Sequence, residues 1–531
     1  MYPLHLAALI LVAAPPGPSP GDSVPLYTNL GNHHHAITTR APAAQQYFDQ
    51  GLRLVFGFNH AEAIRAFNEA ARLDPACAMC YWGIALAYGP HVNAPTDSAS
   101  SAAAYAAVQK ALAQLSHASP REKAYVRAVA ARYAPVPPAN RAGLDSAYAR
   151  AMGKLVAKYG DDLDAATLYA ESMMDLRPWN YWKQPSGEPY PGTLEIVAQL
   201  ERVLKKNPLH PGACHYYIHA VEAVQPQKAL ACAERLAKLM PGDGHMVHMP
   251  AHIYIRLGRY ADAIESNVHA VHTDVMYIED QHPVGVYPIA YYPHNLHFLS
   301  FAATMAGRSA QAIDAAKGLL SKTDMQVARQ VPMVQTFVPF LDLTLVTFGR
   351  WDEVLKQPLP PPDLTYASAL AHYARGVAFA ATGKSSDAEA ELEVVKRLAD
   401  SASAENKPVF DIARHALMGE IAARKGQLEE SIAHFQEAKK TEDGILYFEP
   451  PSWYYPIRHS LGAVLLRAGR PAEAEVVYRE DLKRFPENGW ALFGLEQALK
   501  AQGKTAEAQQ VDGRFRKAWA TADVTLTASR F

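Results

Sequence analysis

Small and aromatic residues return at a fixed interval along this chain, and that interval decides what it can fold into. With Ala44 as position 1, Gly51, Ala63, Phe67, Ala70 and Pro75 fall at positions 8, 20, 24, 27 and 32. Counted from 244, 293, 369, 455 and 489, Gly258, Gly307, Gly383, Gly469 and Gly503 all occupy position 15. In the same frames Ala263, Ala312, Ala388, Ala474 and Ala508 occupy position 20, and Tyr478 and Pro486 repeat positions 24 and 32. Each period is long enough for two helices and their turns. The small residues let the helices pack closely, the aromatic fills the gap between pairs, and the proline ends the second helix. One such pair cannot bury its apolar face alone, so the pairs must stack.

This frame resembles the tetratricopeptide repeat (TPR) family, whose unit is about 34 residues. The resemblance covers nearly all of the chain after residue 40. It implies an all-α fold, a right-handed α-solenoid of about ten TPR-like hairpins, with units starting near 44, 78, 163, 211, 244, 293, 335, 369, 412, 455 and 489. The expected organisation is a signal peptide at 1–20, an N-terminal extension at 21–43, N-terminal repeats with a helical insertion at 44–210, central His-rich repeats at 211–325, and C-terminal repeats at 326–531. Three stretches break the period: the Ala-rich 90–160 region and two aromatic loops at 176–192 and 275–292. Long loops in a compact array usually carry function.

Histidines cluster on three consecutive first helices, in PGACHYYIHAVE (211–222), GHMVHMPAHIYIRLG (244–258) and PHNLHFLSFAATMAG (293–307). Residues spaced three, four and seven apart share one helix face. That groups His215 with His219 and Glu222, His245 with His248 and His252, and His294 with His297. The TPR resemblance implies that positions 2, 5, 9 and 12 of a first helix line the concave groove. All seven histidines fall in those slots, and Glu222 is at position 12. The twelve slots would hold about half a histidine at the chain's overall frequency of 22 in 531.

Seven neighbouring imidazoles repel one another if protonated, so they call for hydrogen-bond partners or a metal. Imidazole suits copper, iron, zinc and nickel. Two HxxxH pairs and an HxxH pair supply enough nitrogen for one or two ions. Glu222, and Glu171 on the preceding repeat, would favour iron or zinc over copper. The expected cofactor is therefore a transition metal: copper, iron or zinc. Trp179, Trp182, Tyr287, Tyr291 and Tyr292, on the aromatic loops, are candidates for a lid over an organic substrate. Tyr216, Tyr217 and Tyr254 are off the histidine phase and read as core.

Two functions follow as expectations. One is a copper- or iron-dependent oxidoreductase acting on a small organic or peptide substrate. The other is a non-enzymatic scaffold that binds a peptide or partner protein in the groove. No phosphate loop, nucleophile elbow or dinucleotide fingerprint is present. A net charge of −2 argues against nucleic acid as a partner. No apolar run is long enough to span a membrane. The apolar run from Leu4 to Ala14 has the length of a signal-peptide core, though no Lys or Arg precedes it. It points to a periplasmic or secreted protein, and otherwise to a cytoplasmic one. Export would permit disulfides. Cys77 and Cys80 form a CxxC at a helix start, and Cys214 and Cys232 are expected to bridge the two helices of one hairpin.

Overall fold

The structure is a computed structural model that describes residues 24–531. The apolar run read as a signal peptide lies outside the described residues. Among the described residues the regular structure is helical, and extended pairing is limited to two isolated bridges, His91 with Ala94 and Trp182 with Pro189. No helix among them is long and apolar enough to cross a membrane. The fold is all-α, as expected. Its contacts divide the chain into two compact units. One runs to Ile253 and adds Val268–Tyr292; the other takes Tyr254–Asn267 and Pro293–Phe531.

The first unit is built from helical hairpins of the expected kind. Pro42–Phe56 pairs with His60–Leu73, and Ala78–Ala87 packs against the second of these. Phe67 shows why the period works. A Cβ on Gly51 would lie 2.7 Å from its ring and one on Gly83 2.5 Å, so only glycine on both flanking helices admits the aromatic. Helix starts are set by side-chain caps: Asn59 accepts from the Glu62 N–H, Asp162 from Ala165, and Asp243 from Met246. Residues 90–160, read as an insertion, hold three helices. Ser98–Ala113 packs back on Ala78–Ala87, and Pro120–Ala130 is followed by Ala142–Lys158 packed against it. The region is helical, as expected, though it lacks the aromatic and glycine landmarks of the repeat frame. The 275–292 stretch, read as a loop, is largely helical too. Tyr260–Gln281 runs through its first part, and Tyr287–Tyr291 forms a π turn.

The extension before the first hairpin is ordered from residue 24 and laces this unit together. The Tyr27 N–H donates to Gln50, the Gly242 N–H donates to the Asn29 carbonyl, and Thr38 donates to Glu122. His33, His35 and His210 all hydrogen-bond the Asp164 carboxylate, at 2.8, 2.7 and 3.1 Å. Burial alone would raise that carboxyl, but the three imidazoles hold it well below the usual range.

The second unit repeats the same construction. Tyr478 lies between Gly462 and Gly494, where a Cβ would come within 2.3 and 2.2 Å of it. Within this unit the early and late hairpins meet. The Trp490 indole donates to the Thr304 carbonyl at 2.9 Å, and Arg256 donates to the Arg484 carbonyl at 3.1 Å.

Candidate metal centre

The centre of interest lies in the first unit, on helix Pro211–Val221 and the broken helix that opens the next hairpin. Pro250 has no N–H to donate, and the chain divides there into Gly244–His248 and Pro250–Arg256. Across the break the two rings of this HxxxH pair still meet, with His248 Nε2 and His252 Nε2 2.9 Å apart. Gly212 performs a different service. A Cβ there would meet the Phe56 ring at 2.4 Å, so glycine lets helix Pro211–Val221 settle against the end of the first helix. The Phe56 carbonyl thereby reaches His215 Nδ1, at 2.6 Å.

Hydrogen bonding then fixes which nitrogen of each ring is bare. A carbonyl oxygen only accepts, so His215 Nδ1 carries the proton and Nε2 is left with its lone pair. Glu222 does the same for two more rings. Its Oε1 lies 3.2 Å from His219 Nδ1 and its Oε2 2.6 Å from His252 Nδ1. Burial would raise the Glu222 carboxyl, but the His252 and His219 imidazoles hold it down at about 2. It is ionised, and both its oxygens accept.

The Nε2 atoms converge. His215 Nε2 is 3.1 Å from His219 Nε2 and 3.1 Å from His245 Nε2. One ligand nitrogen from each of these three residues lies within 4.8 Å of the others. The His215 and His219 protons face other partners, so their close Nε2 contact sets lone pair against lone pair. A proton could bridge them, but burial and the neighbouring His219 depress His215 well below the ordinary imidazole value. A cation between the nitrogens removes the repulsion. A tetrahedral ion at roughly 2.0–2.1 Å from each ligand would set the nitrogens about 3.3 Å apart.

The five imidazoles and Glu222 are all buried, none more than 4% exposed. Aromatic rings seal them. The Phe58 ring sits 4.5 Å from His215 and 4.4 Å from His91, Trp179 lies 5.1 Å from His219, and Tyr291 lies 4.6 Å from His245. Phe58 and Trp179 both have left-handed backbones, φ 58° and 62°. Non-glycine residues adopt that conformation at a cost of order 1–3 kcal/mol, and here it aims both rings at the imidazoles. Tyr287 supports the wall from behind: its hydroxyl donates to Asp274 at 2.7 Å and accepts from the His245 N–H at 3.3 Å.

Of the lid candidates, Trp179 and Tyr291 face the imidazoles and Tyr287 braces His245. The Trp182 indole instead donates to the Ala220 carbonyl at 2.8 Å, on the helix backbone. Tyr292 is a buried residue at the start of its helix. Glu171 joins a different group: it hydrogen-bonds Asp175, which takes a 2.5 Å ion pair from buried Arg132. His294 and His297 belong to the second unit. There His297 is buried against Phe340 and Phe337, with ring separations of 4.2 and 5.6 Å. His294 lies on the same helix, its ring 6.4 Å from that of His297. Phe58, the Phe56 carbonyl and Asp274 carry no sequence signal of their own. His60 and His91, rings 4.4 Å apart beside Phe58, could be seen only as extra histidines.

The cysteines divide differently from expectation. Cys77 and Cys80 form a disulfide, while Cys214 and Cys232 are both buried thiols. The expected bridge between the latter two is not formed. Cys214 Sγ donates instead to the Pro208 carbonyl at 3.7 Å, and its contact with Cys232 and its burial push the thiol up.

No family model and no curated protein matches this chain. Among solved structures, human IFIT1, seen as a dimer with m7Gppp-AAAA, is 12% identical over 90% of each chain, with a TM-score of 0.33. Cut9 in the APC/C Cut9–Hcn1 heterotetramer is 12% identical over 90% of this chain and 77% of that one, at 0.33. The complex of Naa15 and Naa10 with HypK gives 13% identity, 90% and 70% coverage, and 0.22.

Proposed function

We propose that this TPR-like helical-repeat protein holds a transition-metal ion at His215, His219 and His245, with Glu222 as the carboxylate that orients its ligands. One observation carries the reading: Nε2 atoms whose own protons are committed elsewhere meet at 3.1 Å inside a buried wall. Metal-ligating histidines commonly donate the N–H of their second nitrogen to a carbonyl or carboxylate, which is the arrangement of His215 and His219 here. His248 and His252 offer the start of a second site, with Glu222 shared between the two. All-nitrogen ligation suits copper, zinc or iron.

Bound copper or iron would supply one-electron chemistry, and zinc would supply Lewis acidity. The chain's own part is to orient the imidazoles, keep Glu222 ionised and exclude water with Phe58, Trp179 and Tyr291. A small organic substrate, in the oxidoreductase reading, would have to enter by displacing one of those rings. Complete burial of the ligands favours a second reading, in which the ion pins consecutive hairpins of a binding scaffold. The Cys77–Cys80 disulfide and the apolar N-terminal run support an exported protein.

Metal analysis of untagged protein tests the proposal. The expectation is one or two ions of copper, iron or zinc per chain, and none in His215→Ala/His219→Ala/His245→Ala. Wild-type protein that purifies metal-free, and whose melting does not move on adding any of these metals, would refute it. Loss of melting temperature on metal removal without any change in substrate turnover would select the scaffold reading over the enzyme.

A further inference from the structure

In the second unit, residues 519–531 leave the last helix and run back among the hairpins as an extended segment. Its first anchor is Asp523, whose carboxylate accepts from the Ser309 and Ala310 N–H groups at 2.6 and 2.9 Å. Helix Ser309–Ser321 has no side-chain cap of its own, so Asp523 supplies one from the distant end of the chain. The Trp519 indole donates to the Val524 carbonyl and shapes the turn. Leu526 is then buried, and Ser529 donates to the His459 carbonyl at 2.8 Å while accepting from Tyr478.

Arg530 makes the most polar contacts of the segment. Its guanidinium pairs with Glu420 at 2.8 Å, donates to the Tyr455 hydroxyl at 2.6 Å and to Ser460, and lies over the Tyr455 ring. Both members of the pair are sequestered, with side-chain exposures of 10% and 8%. Phe531 follows, 5.7 Å from Trp490. A cavity lined by Val346, Thr347, Tyr454, Tyr455, His459 and Trp490 remains beside Ser529 and Arg530.

This pocket belongs to helices Lys407–Arg424, Ile457–Arg467 and Gly489–Ala501 and the 451–456 turn, and it is chemically complete without the segment. It offers one carboxylate, a tyrosine face, hydroxyls and an aromatic wall. We infer that it is a peptide-docking site, specific for an extended segment with an arginine followed by an aromatic residue. Residues 524–531 fill it in cis, and a partner protein carrying the same Ser-Arg-Phe chemistry would have to displace them. Tethering makes the cis segment a strong competitor. An effective concentration in the millimolar range would hold a pocket of roughly 10 μM affinity about 99% occupied. Docking in trans therefore requires prior release of the segment.

A dye-labelled peptide with the sequence of residues 520–531 tests this on the protein as purified, the pocket lying in the second unit and the histidine centre in the first. Wild type should show no binding at micromolar peptide. The chain lacking residues 524–531 should bind, and the same peptide with alanine for its arginine should bind about thirtyfold more weakly or worse. Glu420→Gln in the shortened chain should weaken the arginine peptide comparably. A shortened chain with wild-type helicity that ignores the peptide, or takes both peptides equally, would overturn the inference. Should the shortened chain not fold, full-length Arg530→Ala decides. Peptide capture by this variant and not by wild type supports the inference; no capture, with the segment as protease-resistant as in wild type, overturns it.

Discussion

His215 and His297 occupy the same position, the fifth, of their repeats, yet the two units treat them in opposite ways. In the first unit His215 finds a carbonyl for Nδ1 and further imidazoles for Nε2. In the second, His297 is packed between phenylalanines and its Nδ1 has no hydrogen-bond partner. Burial pushes its pKa down to about 3. Helix phase brings a histidine to the inner wall. What distinguishes His215 from His297 is the acceptor behind the ring, and for His215 that acceptor comes from a distant part of the chain.

The largest effect should come from removing such an acceptor. Glu222→Gln keeps the shape but offers only one oxygen to two Nδ1–H donors, so metal affinity should fall by about 10–100-fold in a folded protein. Competition titration against a chromophoric chelator measures this, and an unchanged affinity would mean that Glu222 does not orient the ligands. His297→Gln should leave metal affinity where it was.

Acid sharpens the contrast next. Burial depresses the pKa of both His215 and His219, with His219 adding to it at His215 and Glu222 opposing it at His219, so these imidazoles stay neutral and able to bind below pH 6.5. Two ordinary imidazoles would together lose about a hundredfold in metal affinity between pH 7.5 and 5.5. The loss here should be under about tenfold in the same titration. A hundredfold loss would show that the two rings behave as exposed histidines.

His297 gives the smallest effect, in stability. Its folded pKa of about 3 lies below its unfolded value, so the unfolded chain binds the extra proton and stability falls as the pH drops below about 6.5. At 1.36 kcal/mol per unit this amounts to about 2 kcal/mol by pH 5. His297→Phe should lose that part of the acid sensitivity, seen as a smaller fall in unfolding free energy between pH 7 and pH 5. Equal falls in variant and wild type would rule it out.

The repeat frame was legible because it is local. Gly51, Phe67 and Ala63 carry their packing roles in their size, and Tyr478 repeats that role between Gly462 and Gly494. The seven histidines were legible for the same reason, since helix phase is local. Their sorting was not. Phe56 contributes a backbone oxygen, which no side-chain pattern marks, and its contact with His215 spans 159 residues. Phe58 reads as one more apolar residue in FGFNH until its left-handed backbone turns the ring inward. The Ala-rich 90–160 region is helical as expected, whereas the helical part of 275–292 was obscured because its aromatic composition, rather than its period, dominated the reading. The expected Cys214–Cys232 bridge took proximity on neighbouring helices for a bond.

The seal made by Phe58, Trp179 and Tyr291 also bears on time. An ion held behind those rings could leave only when the wall opens locally, so its exchange would follow the opening rate rather than the strength of its ligands. Strong chelators and weak ones would then strip the protein at the same pace. A repeat protein built this way would keep the metal with which it folded for as long as its hairpins stay closed.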